Sequence, residues 1–460
     1  MGKRPDITLV NFLLNYTGAY GPWLPLNCLA LITSLLKEGI SVDFRDYQLV
    51  ERNRFLDLVK MTSFFDDSSD IIAISCYSHA LPFVIKTTEK IKERESHKKI
   101  ILGGLGSRFV AADLMEKFRC FDLIATGDDP RILPELVKTL KDGNTTDYED
   151  IPGVCYRNGN DEIVFTPQNR SKSRGHMNDS MIPAFEMLPL HLYETAPILS
   201  AKGCIYKCPF CCIPNVHSAY IQRDLLVVKE EVRFLSKQDG PRTYYLIDEA
   251  FLHNQTRTYD FLDFIGQSQF LNETEFKCYG RVNLIDEALM KDLSRSRFSC
   301  LYFGVESGSN KVLRRIKKGF TIEEAVETII KCRKYFSKTI ASFIYGFPFE
   351  TFDDFLETMY TVWRLHGLNI SLQFHLLAPL PGTALYKDYR SDLTLSPEIA
   401  SYMSAPYLEP SIENMEPVAH LIQEYPHIFP SIYHFKSPRI EEKERIVNDL
   451  RSIVFFDESQ

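Results

Sequence analysis

Short apolar runs alternate with amphipathic stretches along the first 142 positions. Ile7–Phe12, Val42–Phe44, Asp70–Ser75, Lys99–Leu102 and Phe121–Thr126 read as strands, being rich in β-branched residues and bounded by turn signals. Leu26–Leu36, with apolar residues three and four apart, reads as a helix ending at Gly39. Strands that are apolar throughout, not alternating, indicate a parallel sheet covered on both faces. Five such units predict a doubly wound, Rossmann-like α/β domain over 1–142.

The pattern changes over 143–195, where Ile151-Pro-Gly, Asn158-Gly-Asn and several further prolines fall. We expect a hairpin there, Val154–Arg157 against Ile163–Thr166, and a linker in which Ser171–Ser180 is mobile. A second βα series follows, with strands at Ile198–Ser200, Thr243–Ile247, Glu275–Tyr279, Cys300–Gly304, Thr339–Tyr345 and Ser371–Leu377. Thr321-Ile-Glu-Glu324 and Thr351-Phe-Asp-Asp354 read as capping boxes opening two of its helices. Six units over 196–394 predict an incomplete (β/α)6 barrel, with its chemistry at the carboxyl ends of the strands. From 395 to 460 the pattern loosens into a short, mostly helical C-terminal region closing with Glu441–Phe455.

Composition narrows the picture. The chain has 460 residues, 45 % hydrophobic and 25 % charged, so it has the apolar content for a sizeable core. A net charge of −8 without a basic run argues against a nucleic-acid partner. Met1-Gly-Lys-Arg-Pro leads straight into a strand, and no apolar run reaches the roughly 18 residues a membrane helix needs. The expectation is a cytoplasmic protein with no membrane partner. The 11 cysteines are odd in number and mostly scattered through apolar segments, unlike a secreted disulfide framework.

Four of those cysteines crowd one loop. Gly203-Cys-Ile-Tyr-Lys-Cys-Pro-Phe-Cys211 spells C-x3-C-x2-C, followed at once by Cys212. Soft sulfur donors at such close spacing suit three irons of a cubane cluster. Zinc commonly takes four ligands in paired spacing, and no matching second pair follows. Cys204, Cys208 and Cys211 are therefore the candidate ligands of a 4Fe–4S cluster with one iron left open. Cys212 as a fourth ligand would close that iron.

This loop, with Phe210 before its last cysteine, resembles the radical S-adenosylmethionine (SAM) superfamily over roughly residues 190–390. Tyr244-Tyr-Leu-Ile-Asp-Glu249, Gly280-Arg281, Phe303-Gly-Val-Glu-Ser307, Gly346-Phe-Pro-Phe-Glu-Thr351 and Pro379-Leu-Pro-Gly-Thr383 resemble its later strand ends. The resemblance implies that Phe210, Asp248, Glu249, Arg281, Glu306, Ser307 and Pro348 contact S-adenosylmethionine. Phe349 departs from the pattern, standing where the family's turn has glycine; a phenylalanine does not readily take positive φ.

A doubly wound domain ahead of such a barrel resembles the cobalamin (B12)-binding radical SAM family. Ser75, Gly103-Gly104 and Thr126-Gly127, at the ends of the third, fourth and fifth strands, are then the implied cobalamin contacts. The implied activity is cleavage of S-adenosylmethionine to a 5′-deoxyadenosyl radical, followed by methyl transfer to an unactivated carbon of a small molecule or peptide. A cyclisation, rearrangement or oxidation without methyl transfer is the alternative. An external donor of the flavodoxin or ferredoxin type would supply the electron. No catalytic acid or base stands out.

Overall fold

The computed structural model describes residues 4–14, 21–50, 57–143, 148–168, 182–217, 219–396 and 416–451. The stretch 171–180, expected to be mobile, lies outside them. Five parallel strands open the chain: β1 (Ile7–Phe12), β2 (Val42–Asp46), β3 (Ile71–Cys76), β4 (Lys99–Gly103) and β5 (Leu123–Ala125). Their order in the sheet, 2-1-3-4-5, is that of a doubly wound fold. The reason for the unbroken apolar runs is visible in β1. Ile7 and Leu9 enter one core cluster, while Val10 and Phe12 enter another on the opposite face.

The hairpin does not stand apart as a connector. β6 (Val154–Arg157) and β7 (Ile163–Phe165) extend the same sheet antiparallel to β5, with Cys155 opposite Ile124. The pairing covers an edge that β5 would otherwise present to solvent, and it buries Val154, Cys155 and Tyr156.

The second unit starts earlier than its pattern suggested. β8 is Thr195–Ile198, not Ile198–Ser200. Ser200 is drawn out of the strand by Asp248, whose carboxylate accepts from the Ser200 amide at 2.6 Å and hydroxyl at 2.5 Å. A small antiparallel ribbon follows, β9 (Ala201–Lys202) with β10 (Ile221–Gln222). Next come β11 (Thr243–Leu246), β12 (Glu275–Gly280), β13 (Phe298–Glu306), β14 (Lys338–Tyr345) and β15 (Ser371–Leu376). β8 and β11–β15 form one parallel sheet in the order 15-14-13-12-11-8, an open (β/α)6 barrel. Both expected capping boxes are formed, Thr321 with Glu324 and Thr351 with Asp354.

The C-terminal region ties the two units together. β16 (Leu393–Thr394) pairs antiparallel with β17 (His434–Phe435). Between them, Val418, Leu421 and Ile422 on helix Glu416–Glu424, with Ile428, Phe429 and Ile432, join the outer core of the first sheet. Helix Ile440–Arg451 instead sends Ile440 and Val447 into the core shared with the barrel. Its Lys443 makes a fully buried ion pair with Glu350 at 2.8 Å, and the same ammonium donates to Ser437 Oγ at 3.0 Å. No helix among the described residues is long and apolar enough to cross a membrane.

Removing one member of a buried pair strands the other charge. Lys443→Met should lower the unfolding free energy by about 3 kcal/mol, and adding Glu350→Gln should recover a large part of that loss. Urea unfolding of the three proteins checks both; equal stability of wild type and Lys443→Met would contradict the assignment.

Candidate functional site

The cysteine loop rests on the β9–β10 ribbon. β9 hands over to Gly203, whose φ is +83°. A Cβ there would lie 2.3 Å from the Ala219 carbonyl oxygen, so a glycine is required for both conformation and space. The Gly203 amide donates to Glu249 Oε2 at 3.0 Å. The loop then turns where Cys211 N–H donates to Cys208 O at 3.1 Å and runs into the short helix Ile213–Val216.

Cys204, Cys208 and Cys211 are free and half-buried. Cys204 sulfur accepts from the Tyr206 amide and Cys211 sulfur from the Ile213 amide. Burial, reinforced by the neighbouring Cys212, Cys208 and Cys204, pushes the Cys211 thiol up to about 12. Ligation must therefore displace protons, which makes cluster uptake pH-dependent. Among the described residues no three His, Cys, Asp or Glu side chains converge on a single-ion position. A cubane instead needs one sulfur on each iron, and three soft donors within electrostatic reach of one another on one loop fit that demand.

Other expected contacts gather around the loop. The Arg281 guanidinium lies 3.5 Å over the Tyr206 ring, and its charge opposes the upward shift of Cys204. Phe210 meets Phe347 edge-on at 6.0 Å. Glu306 ends β13 at a register shift, with φ +73°, and its Oε1 pairs with Lys318 at 3.2 Å. Gly346 carries the positive φ of its turn, +84°, so Phe349 need not. Phe349 stacks on Phe347 at 5.5 Å, beneath the guanidinium of Arg315 at 4.0 Å; Pro348 between them is half-buried.

Three expected residues sit differently. Asp248 is buried beneath the loop, bonded to Ser200, and burial pushes its carboxyl up to about 6 against the hydrogen bonds from Ser200 and Ala201. Glu249 braces Gly203, leaving its other oxygen 3.9 Å from His217. Ser307 is fully buried, with its oxygen accepting from Ser309 N–H at 3.1 Å and lying 3.2 Å from Thr358 Oγ1.

A cleft of about 680 Å³ lies between the units, with walls that include Arg108, Thr126, Gln168, Asn215 and Tyr386. The carboxyl ends of both sheets meet beside it. Arg108 donates to Val216 O at 2.9 Å, and Asp128 pairs with His217 at 3.0 Å. Of the five implied cobalamin contacts, Thr126 lines this cleft. Gly104, at φ +90°, is pressed against the backbone of Cys76, where a Cβ would come within 2.4 Å of the carbonyl oxygen. Gly127 similarly packs on Gly153 and Ile132. Ser75 donates to the Cys28 sulfur, and Gly103 has only ordinary contacts.

Residues 198–361 match the model of the Radical SAM superfamily. This part of the chain is a radical SAM domain. An uncharacterized methyltransferase of Pyrococcus horikoshii is 26 % identical over 377 residues, covering 80 % of this chain and 79 % of that one. An anaerobic magnesium-protoporphyrin IX monomethyl ester cyclase of Cereibacter sphaeroides is 23 % identical, over 85 % of this chain and 63 % of the relative. Among solved structures, the radical S-adenosylmethionine methyltransferase TsrM of Kitasatospora setae, with cobalamin and a 4Fe–4S cluster bound, superposes with a TM-score of 0.68. It is 21 % identical and covers 84 % of this chain and 77 % of its own. The cobalamin-dependent S-adenosylmethionine radical enzyme OxsB gives 0.69 at 16 % identity, over 98 % and 66 %. These two likenesses establish the fold: a doubly wound unit ahead of an open (β/α)6 barrel.

Tyr206 and Gly203 are parts of this radical SAM site that the motif reading passed over. The signal for Tyr206 was its place inside the cysteine loop, two residues after Cys204. Arg281 was singled out without the ring it covers.

Two tests follow for the radical SAM loop. Cys204→Ala, Cys208→Ala and Cys211→Ala should each reduce iron after anaerobic reconstitution from about four per chain to near zero, while Cys212→Ala keeps it; iron analysis decides. Asp248 adds a pH signature. Its raised pKa means the fold disfavours the ionised form, so the cost is absent below the unfolded value of 3.8 and complete above about 6. In the cluster-free protein, Asp248→Asn should remove a loss of stability on the order of 3 kcal/mol across that window. Chemical denaturation at both ends would measure it, and an unchanged pH profile would contradict the buried carboxyl.

Proposed function

We propose that the chain is a cobalamin-dependent radical SAM methyltransferase acting on an unactivated carbon of a small molecule or peptide. The observation that carries this reading is the meeting of the two sheets' carboxyl ends across the cleft beside the cysteine loop. Such ends are where α/β sheets bind ligands. When bound, the cluster would supply the electron that cleaves S-adenosylmethionine and cobalamin would carry the methyl group. The electron would come from an external flavodoxin or ferredoxin type of donor.

The chain's own part is holding and shielding. Cys204, Cys208 and Cys211 would bind three irons and leave the fourth for the methionine end of the nucleotide. Arg281 over Tyr206 closes one side of the loop, and Phe210 against Phe347 closes another, both excluding water. Glu306, fixed at its bulge by Lys318, would accept from the ribose hydroxyls. Thr126 would meet cobalamin from the first unit. At 104 and 127 the space a Cβ would take is filled by the chain itself, the Cys76 backbone at one and the Ile132 side chain at the other.

A second reading, cyclisation, rearrangement or oxidation without methyl transfer, is favoured by the likeness to the Cereibacter cyclase. Products separate the two. Reconstituted protein given S-adenosylmethionine, reductant and hydroxocobalamin should form both 5′-deoxyadenosine and S-adenosylhomocysteine. 5′-Deoxyadenosine alone would reject methyl transfer in favour of the second reading.

A further inference from the structure

The cleft between the units has a charge that the chain as a whole lacks. In a protein of net charge −8, its walls carry Arg108, Lys387 and Arg390 and no carboxylate. Lys387 and Arg390 stand three apart on helix Ala384–Tyr389 and the residue that caps it, both exposed. Neither has a carboxylate partner among the described residues. Asp388, between the two cations in sequence, does not line the cleft, and two other acids that act on wall residues do not line it either. Asp128 is paired with His217, and Asp113 acts on Tyr386 without lining the cleft.

Arg108 is more fixed. It is half-buried, with one guanidinium nitrogen given to Val216 O and to Gln168 Oε1, and its charge reaches Cys212 and Asp128. The cationic wall therefore begins next to the cysteine loop and runs outward along the helix. Between the cations the walls are apolar: Phe109, Phe165, Ala384 and the ring of Tyr386. Phe165 is 51 % exposed, so its ring is available to a ligand in the cleft. Phe109 is held against Gly382, where a Cβ would come within 2.6 Å of its ring.

An apolar wall flanked by cations, of which Lys387 and Arg390 have no carboxylate partner among the described residues, suits an amphipathic anion. The apolar body gains from leaving water, while guanidinium and ammonium groups take the anionic oxygens. We infer that the substrate carries an anionic group, a carboxylate or phosphate on an apolar body, and that Arg108, Lys387 and Arg390 hold it in this cleft while its carbon faces the cysteine loop. The inference rests on the methyltransferase reading for the word substrate; the anion site itself rests on the cleft. The same cations could alternatively meet the phosphodiester of cobalamin, and the experiment separates the two sources.

The probes are naphthalene-1-carboxylate and its uncharged carboxamide, titrated by calorimetry into the reconstituted full chain. The carboxylate should bind about tenfold more tightly than the carboxamide, an effect of the size expected for two charge-assisted contacts at a partly open site. Lys387→Gln with Arg390→Gln, both on an exposed helix face, should abolish that preference and leave carboxamide affinity unchanged. Equal binding of the two probes to the wild type, or a preference that survives the double substitution, overturns the site. Cobalamin retention is read in the same samples by absorbance. A variant that loses cobalamin yet keeps the carboxylate preference assigns the cations to the phosphodiester and overturns the substrate assignment. A wild type that prefers the carboxylate but forms no S-adenosylhomocysteine leaves the anion site standing and removes the methyltransferase reading instead.

Discussion

Three thiols that must accept a cluster have to be held open by something other than the cluster. Here the work falls to two carboxylates at the end of β11. Asp248 pulls Ser200 out of β8, which ends the strand and starts the β9–β10 ribbon. Glu249 then takes the amide of Gly203, the last residue before Cys204. A buried carboxylate is costly unless its oxygens are filled, and the upward shift of Asp248 records that cost despite its hydrogen bonds. The cost is borne at the place where geometry matters most. Without this brace, backbone N–H groups of Ser200 and Gly203 would lose their acceptors at the root of the loop.

A second constraint acts between the units. One face of the first sheet shares a continuous core with the barrel, through Leu188, Tyr193 and Ala196 beside Ile7, Leu9 and Leu29. On its other face the core is built with the first unit's own helices, and residues 418–433 from the far end of the chain extend it. The C-terminal region thus packs one helix on the first unit's helix Leu81–Arg94 and locks the barrel with the next, through Lys443 and Glu350. Glu350 also accepts from Gly346 N–H at 2.9 Å, so the same buried pair fixes the turn that carries Phe347 and Phe349. A cleft bounded on one side by residues 108–168 and on the other by 382–390 keeps its width because the units cannot rotate without breaking these cores.

What the sequence disclosed follows from how local each signal is. Most strands of both sheets were legible because their apolar runs are buried on both faces, as in β1, whereas β8 was expected too late in the chain. The capping boxes were legible because Thr321 and Glu324 complete one another within a single turn. The cysteine loop was legible because all its donors lie within eight residues. The pairing of β6 with β5 was not, because Cys155 meets Ile124 across a long separation that composition does not encode. Asp248 and Glu249 were singled out as nucleotide contacts by resemblance to the family's second strand. Their partners, Ser200 and Gly203, are 46 to 48 positions away, and only the folded chain shows that they serve the loop's backbone. Lys387 and Arg390 look like any solvated helix face until Arg108 and Phe165 are brought opposite.

Phe349 shows how a departure from a family pattern can be absorbed. A turn needing two left-handed residues would be strained by phenylalanine, but Gly346 carries the positive φ by itself. Position 349 is then free to bear a side chain, and its ring extends a column from Phe210 through Phe347 to the cation of Arg315. Phe210 precedes the last cysteine of the loop, so the column ties the loop to the turn after β14 by ring contacts where a glycine would leave a gap. Each contact is modest, but aromatic rings pack with restricted geometry. A ring at position 349 gives a stiffer and narrower wall on that side of the site than a glycine would.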